Sequence, residues 1–188
     1  MTSRFEAKTS LTHPVADVNA NYPIEQLARS TSTRFQVGFA RMTMHLLPEF
    51  DGVVLEPSER GLKLVGTDET ALAIPLDVIR QIHAGDVTFD APQVRLIYGD
   101  VIQEPIMWVR ASVGRNYVED VIQDLVLRAA EIEEVDWLVV LPVVRARVPL
   151  RQLLGYSQAL AALSHDTAEL RMWLSHYAPV PPDPGKAA

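Results

Sequence analysis

Three arginines in the last third of the chain form the clearest binding pattern in the sequence. Arg145 and Arg147 are two residues apart in the apolar run 143–148, and Arg151 follows that run. Alternate residues of a strand share one face, so the first two guanidinium groups point the same way and the third can join them from the next helix. We expect the three to bind a phosphate or an acidic protein. The alternative is an open sheet face that its charges keep hydrated.

Histidines and one Ser-His-Asp run are the other groups that could do chemistry. The five histidines fall in different predicted elements, with no pair four residues apart and no carboxylate at ligand spacing. Ser164, His165 and Asp166 are consecutive, but the Gly-x-Ser-x-Gly turn that exposes a nucleophilic serine is absent. We therefore predict no catalytic residue, no metal, no cofactor and no enzymatic activity, and we expect the Ser-His-Asp run to be a polar helix end.

Carboxylates gather between positions 119 and 136. Paired carboxylates serve acid–base catalysis only where a pocket separates their pKa values, and the sequence indicates no such pocket. We expect a hydrated surface. The residues are Glu119, Asp120, Asp124, Glu131, Glu133, Glu134 and Asp136.

Aromatic residues occupy two runs that are predicted to pair as strands. Trp108 lies in the first of them, and Trp173 and Tyr177 lie in the last. Aromatic side chains on an open four-stranded sheet can stack on RNA bases. The basic and aromatic signature of RNA-recognition folds is absent, however, so we expect these rings to pack in the core or at a domain junction.

Composition bounds the class of protein. The 188 residues are 48% hydrophobic, contain no cysteine and carry a formal charge of −7. No disulfide or thiolate metal site can form. The negative net charge of the protein argues against binding of nucleic acid through its overall electrostatic field. No apolar run reaches the roughly 20 residues of a membrane span, and no signal peptide follows Met1. We expect a cytoplasmic protein that binds neither a membrane nor sequence-specific DNA.

The C-terminal part of the chain has the most legible pattern. Residues 104–177 alternate between strand and helix periodicity in the order β-α-β-β-α-β. That order is typical of the split βαβ, or ferredoxin-like, sandwich, in which two helices cover one face of a four-stranded antiparallel sheet. The proline-rich stretch 180–188 predicts a disordered tail.

The preceding residues predict a smaller α+β unit. Residues 1–33 are polar and are expected to form an arm without a core. Residues 35–47 alternate apolar and polar side chains, which predicts a strand. Two short strands follow at 51–55 and 61–66, then a helix that begins at Pro75 and ends at Gly85, and a strand at 94–98. No internal repeat is evident in the sequence.

Several spaced motifs in the last part of the chain resemble the C-terminal domain of elongation factor G, the bacterial translocation factor. Their order and spacing agree with that family throughout residues 104–179. The motifs are Glu104-Pro105-Ile106-Met107, Val121-Ile122-Gln123-Asp124-Leu125, Val148-Pro149-Leu150, Leu154-Gly155-Tyr156 and, near the end, Met172, Tyr177 and Pro179.

A weaker resemblance reaches upstream to the penultimate domain of elongation factor G. It implies that residues 34–103 are a truncated unit of the ribosomal protein S5 domain 2-like fold. The basic loop that the family carries to the ribosomal decoding region corresponds to 31–38, which has lost most of its glycines, and a second tip loop with its helix is missing. Arg34 lies in the loop at 31–38 and Arg41 lies in the predicted strand that follows it, and both are further candidates for partner contact.

The resemblance implies a binding module without catalysis. We expect four segments: a polar arm at 1–33, the reduced penultimate-domain-like unit at 34–103, the ferredoxin-like domain at 104–179, and the tail at 180–188. The sequence contains no Gly-x-x-x-x-Gly-Lys-Ser/Thr loop for a nucleotide phosphate. The expected partner is the ribosome or a translation factor. Two alternatives stay open: a protein-interaction module unrelated to the ribosome, and a fragment of a longer translational GTPase.

Overall fold

Two antiparallel sheets, each with helices on one face, make up the computed structural model, which describes residues 18–138 and 140–181. The first unit contains five strands and two helices after a short 3-10 turn at Val18–Asn21. In chain order they are β1 (Ile24–Ser30), α1 (Gln36–Leu46), β2 (Val53–Ser58), β3 (Gly61–Gly66), α2 (Glu69–Ile82), β4 (Val87–Phe89) and β5 (Gln93–Val94).

The second unit contains four strands and three helices. They are β6 (Gln103–Ser112), α3 (Val118–Leu127), β7 (Glu131–Asp136), β8 (Val143–Pro149), α4 (Leu150–Leu153), α5 (Tyr156–Ser164) and β9 (Glu169–Pro179). The single helix expected after residue 150 is two helices, because Gly155 adopts the left-handed conformation (φ 73°) between them.

Both units share one strand topology. The order in the first sheet is β2-β3-β1-β4, and the order in the second is β7-β8-β6-β9. In each case the first and third strands of the unit lie at the centre and the second and fourth lie at the edges, which is the split βαβ arrangement. The predicted α+β class with a C-terminal ferredoxin-like domain is confirmed. The expected S5 domain 2-like unit is corrected, because the first unit has the ferredoxin-like order as well.

The central strand of the first sheet lies inside the segment expected to be a polar arm. β1 pairs with β3 from Ile24 to Ala28, and with β4 from Ala28 to Ser30. Ile24 and Ala28 are fully buried beneath the helices, so residues 24–30 belong to a core and the expectation for them was wrong. Residues 1–17 lie outside the described part of the chain.

Residues 36–46 form a helix where the sequence predicted a strand. The buried side chains of α1 are Phe39, Ala40 and Thr43, which recur at helical rather than alternating spacing. Two of the apolar residues that suggested alternation, Met42 and Leu46, are half-exposed. The strand expected at 35–47 was therefore wrong.

Helix α2 begins earlier than its proline suggests. The carboxylate of Asp68 accepts a hydrogen bond from the backbone N–H of Ala71 at 3.0 Å and caps the helix. Pro75 lies inside the helix and is buried, so it does not mark the start. Because proline carries no N–H, α2 tolerates one missing backbone hydrogen bond in exchange for a packed ring.

Polar contacts join the two units. The backbone N–H of Gly155 donates to Glu69 Oε2 at 2.7 Å, and the hydroxyl of Tyr177 donates to the carbonyl of Ala20 at 3.0 Å. The connecting segment is short, and the bridge between Ile97 and Gln103 lies within it. Among the described residues, no helix is long and apolar enough to cross a membrane.

A partly buried hydrogen bond joins helix α1 to His83, the residue that follows α2. Thr43 Oγ1 lies 2.9 Å from His83 Nε2, and Thr43 is fully buried. Thr43→Val keeps the shape but leaves the imidazole without its partner, so we expect a loss of about 1 kcal/mol in the free energy of unfolding, measured by urea denaturation. Thr88→Val, at an exposed position of β4, should change stability by much less. Equal losses in the two variants would contradict a role for the hydrogen bond.

Candidate functional site

The surface that the sequence singled out is the face of the second sheet opposite its helices. Along β6, the residues Met107, Val109 and Ala111 are buried beneath the helices, so Trp108 and Arg110 point the other way. Strand pairing aligns the neighbouring residues with these two. We call this surface the open face; it comprises Glu131, Glu133 and Glu134 of β7, Arg145 and Arg147 of β8, Trp108 and Arg110 of β6, and Arg171 and Trp173 of β9.

Arg145 and Arg147 share this face, as their spacing predicted, but both are paired with carboxylates. Arg145 binds Glu134, and Arg147 Nε donates to Glu133 Oε1 at 2.6 Å. Arg147 Nη2 also lies 3.3 Å from Glu131 Oε2. These pairs lower the capacity of the two arginines to attract a phosphate.

A β-bulge places the additional glutamate. The register between β7 and β8 shifts between Ile132 and Glu134, so one extra residue, Glu133, stands opposite β8. The consequence is an acidic edge along β7 that faces the arginines of β8.

Arg151 has a different role from Arg145 and Arg147, because it pairs with a buried carboxylate. Its Nε is 3.0 Å from Oε2 of Glu104, whose side chain is only 2% exposed. Oε1 of Glu104 is buried without a hydrogen-bond partner in the described structure. Burial raises the pKa of the Glu104 carboxyl, and the Arg151 guanidinium lowers it in part. Arg151 therefore compensates a buried charge.

Two tryptophans form a pair at the centre of the open face. Trp108 and Trp173 are directly opposed across β6 and β9, with ring centroids 6.4 Å apart and planes 24° from parallel. The guanidinium of Arg147 lies 5.6 Å from the Trp108 ring centroid. Trp173 is 46% exposed and so lies outside the core, and it lines a crevice with residues of the first unit, in keeping with the expected place at a domain junction. Tyr177 is tied to Ala20 at the junction of the units.

Known proteins match the part of the chain that carries this face. Residues 101–187 match the family described as Elongation factor G C-terminus. The second unit is therefore similar to the C-terminal domain of elongation factor G. Over 81 aligned residues the chain is 41% identical to elongation factor G from Fervidobacterium nodosum. The aligned region covers 43% of this chain and 12% of that protein.

A solved structure extends the likeness in fold beyond this domain. A crystal structure of a protein from Thermus thermophilus superposes with a TM-score of 0.61 and 18% identity over 85% of this chain and 41% of the other. At that identity the likeness concerns the fold alone. The chain thus spans less than half the length of either protein.

Two arginines that the sequence pattern did not single out complete the open face. Arg110 is directly opposed to Arg145 on one side and to Arg171 on the other. In the described part of the chain, neither Arg110 nor Arg171 forms an ion pair with a carboxylate. Their signal was available: each lies two residues from a tryptophan, and a two-residue period places all four side chains on one side.

A crevice adjoins the exposed tryptophan. It has a volume of about 450 Å³ and lies between β9 and the start of α2. Arg171 and Trp173 line it on one side, and Asp51, Thr67 and Asp68 line it on the other. Across the described ranges, no three His, Asp or Glu side chains are grouped as a metal site.

Arg34 and Arg41 belong to the first unit and not to the open face. Arg34 precedes α1 and Arg41 lies on it, and both are exposed. Exposed apolar side chains lie beside them in the sequence, Phe35 next to Arg34 and Met42 next to Arg41. Their part in partner contact stays a prediction.

Proposed function

We propose that this chain is a non-catalytic module that binds the translation machinery, either the ribosome or a translation factor, through the open face of the unit that matches the Elongation factor G C-terminus family. The observation that carries the proposal is the coincidence of that family match with an exposed tryptophan and with two arginines that have no carboxylate partner among the described residues. A cytoplasmic location is part of the proposal.

The absence of a phosphate-binding loop from the sequence supports a binding role rather than GTP hydrolysis. Such a loop surrounds the phosphates with backbone N–H groups, and the single Gly-Lys pair, Gly185-Lys186, has neither the spacing nor the following Ser or Thr. Translation-factor activity of the kind that needs GTP is therefore assigned to a partner or to another part of a longer protein.

The charge distribution supports a local rather than a global electrostatic contact. The chain carries a net charge of −7, and the β7 glutamates neutralise Arg145 and Arg147. The positive end of the face therefore lies along β6 and β9, at Arg110 and Arg171. Contacts between a few arginines and phosphates weaken as salt rises, because counterions compete for both groups.

Sedimentation with ribosomes and separated subunits at two salt concentrations tests the proposal. We expect the protein to pellet with ribosomes at low salt and less at high salt. Arg110→Glu/Arg171→Glu should reduce pelleting at least ten-fold. Arg60→Glu/Arg80→Glu makes the same change of charge at exposed sites of the first unit and should not. If the wild-type protein pellets with neither ribosomes nor subunits and captures no translation factor, the proposal is wrong.

One observation favours a second candidate, a protein-interaction module unrelated to the ribosome. The loop between β7 and β8 exposes Leu138 (99%) and Val140 (96%), flanked by half-exposed Trp137 and Leu141. Exposed apolar groups of this size are typical of protein contacts. This candidate predicts that Leu138→Asp/Val140→Asp abolishes partner capture, whereas Arg110→Glu/Arg171→Glu leaves it unchanged.

A further inference from the structure

We propose that the open face binds single-stranded RNA by stacking unpaired bases on Trp108 and Trp173 and by holding the adjoining phosphates with Arg110 and Arg171. The inference rests on the proposed function and deepens it, because it names the chemical class of partner that the same surface takes.

The tryptophan pair supplies a platform for planar rings. Both residues rise from the same side of the sheet, because they are directly opposed on neighbouring antiparallel strands. Their planes are 24° from parallel, and Trp173 is 46% exposed. Bases stack on such rings with little dependence on sequence, since every base has a π face. Open four-stranded sheets of this topology bind RNA by stacking two or three bases on strand aromatics.

The distribution of charge across the open face determines where an RNA strand would lie. Arg110 and Arg171 are opposed to each other two residues along from the tryptophans, a step of about 7 Å on a strand. Glu131, Glu133 and Glu134 line the opposite edge and repel phosphate. A strand of RNA is therefore directed along β6 and β9 and away from β7.

The crevice beside β9 extends the surface in the same direction. Its volume of about 450 Å³ is open to Trp173 and Arg171. The far wall presents the carboxylates of Asp51 and Asp68 and the hydroxyl of Thr67. The negative charges of Asp51 and Asp68 disfavour a phosphate on this wall, although the Asp68 carboxylate already accepts hydrogen bonds from Ala71 and Thr67. The wall thus favours a base over a phosphate beyond the tryptophan platform.

The surroundings of the tryptophans favour RNA over a protein partner. Tryptophan and arginine also anchor protein interfaces, but there they lie in desolvated pockets with contacts around them that exclude water. Here the neighbours are charged: Arg110, Arg145 and Arg147 flank Trp108, and Arg171 flanks Trp173. Phosphates can use the charges of Arg110 and Arg171, whereas an apolar protein surface would have to desolvate all of these charged groups.

A titration with a fluorescein-labelled ten-nucleotide oligouridine at two salt concentrations tests the inference, read by anisotropy and by quenching of tryptophan fluorescence. We expect saturable binding that weakens with salt, and at least ten-fold weaker binding to a duplex RNA of the same length. Trp173→Ala should weaken oligouridine binding about ten-fold, and Trp173→Phe should restore most of it. Trp137→Ala, which removes the other exposed tryptophan, should bind as the wild type does. Circular dichroism establishes that each variant is folded.

The two proposals fail separately. If the protein binds oligouridine but neither pellets with ribosomes or subunits nor captures a translation factor, the translation role is overturned and the RNA-binding inference is retained. Ribosome pelleting without oligouridine binding would overturn the RNA inference alone and point to a protein contact. Equal losses in Trp137→Ala and Trp173→Ala, or equal affinity for single-stranded and duplex RNA, would also overturn it.

Discussion

Gly61→Ala is expected to lower the free energy of unfolding by about 3 kcal/mol. Gly61 has a φ of 136°, a conformation that other residues rarely adopt. A Cβ built there would lie 2.3 Å from the carbonyl oxygen of Ala28 on β1, and this backbone atom lies in the central strand, where it cannot easily move. The substitution adds backbone strain and a steric clash at the same point. Urea denaturation, with the melting temperature as a second readout, measures the loss.

Two other glycines separate the two causes. Gly85 has a φ of 94° but no atom within 4 Å of a built Cβ, so Gly85→Ala should show the strain alone, about 1 kcal/mol. Gly99 has neither feature, and Gly99→Ala should be nearly neutral. If Gly61→Ala is as stable as Gly99→Ala, residues 24–30 do not lie against β3. That result would favour the prediction from the sequence that residues 1–33 form a polar arm.

The strand β1 was missed because its sequence contains few large apolar residues. Ile24 and Ala28 face the helices, while Glu25 and Arg29 lie on the other face and form ion pairs with Lys63 and Asp90. The strand is held by backbone pairing on both edges, which side-chain periodicity does not report. A strand is recognised in a sequence by its apolar face, and the buried apolar face of β1 consists of only Ile24 and Ala28.

The second unit was predicted well because its apolar positions agree with its elements at every step. Val118, Val121 and Leu125 form one buried stripe on α3, and Val144, Ala146 and Val148 alternate along β8. Helix α1 was mistaken for a strand because its apolar residues fit both the two-residue period of a strand and the 3.6-residue period of a helix. Its true partner, the face of β3 with Leu62 and Leu64, lies well separated in the chain.

The candidate surface was predicted in position but not in charge. The two-residue spacing of Arg145 and Arg147 places them on one face, as expected. Their neutralisation depends on the bulge at Glu133, which changes the register by one residue and leaves no periodic signal. The sequence places Arg110 and Arg171 each on the same side of its strand as a tryptophan, but only the strand order brings the two arginines together. Within the described residues, neither forms an ion pair with a carboxylate.

Removing the guanidinium of Arg151 is the other change expected to have a large effect. Arg151→Met leaves the carboxylate of Glu104 in its buried position with no cation beside it, since Oε1 already lacks a partner in the described structure. Leaving a buried charge unpaired is strongly destabilising, and we expect a loss of about 3 kcal/mol at pH 7. Glu104→Gln/Arg151→Met, which removes the charge as well, should recover part of that loss.

The loss in Arg151→Met should depend on pH in a defined direction. Burial raises the pKa of Glu104 above its ordinary value, and Arg151 opposes that rise, so the variant should have a still higher folded pKa. A folded pKa above the unfolded one means that the folded state binds the proton more tightly. The unfolding free energy therefore falls as pH rises from the unfolded pKa through the folded one, and recovers as pH is lowered toward 4.5.

Urea denaturation at pH 7 and pH 5 should show a smaller penalty at pH 5 in Arg151→Met. The double variant, measured against Glu104→Gln, should show the same penalty at both. A penalty in Arg151→Met that is independent of pH would mean that Glu104 stays charged without help from Arg151, and the arginine would then be free to serve a partner.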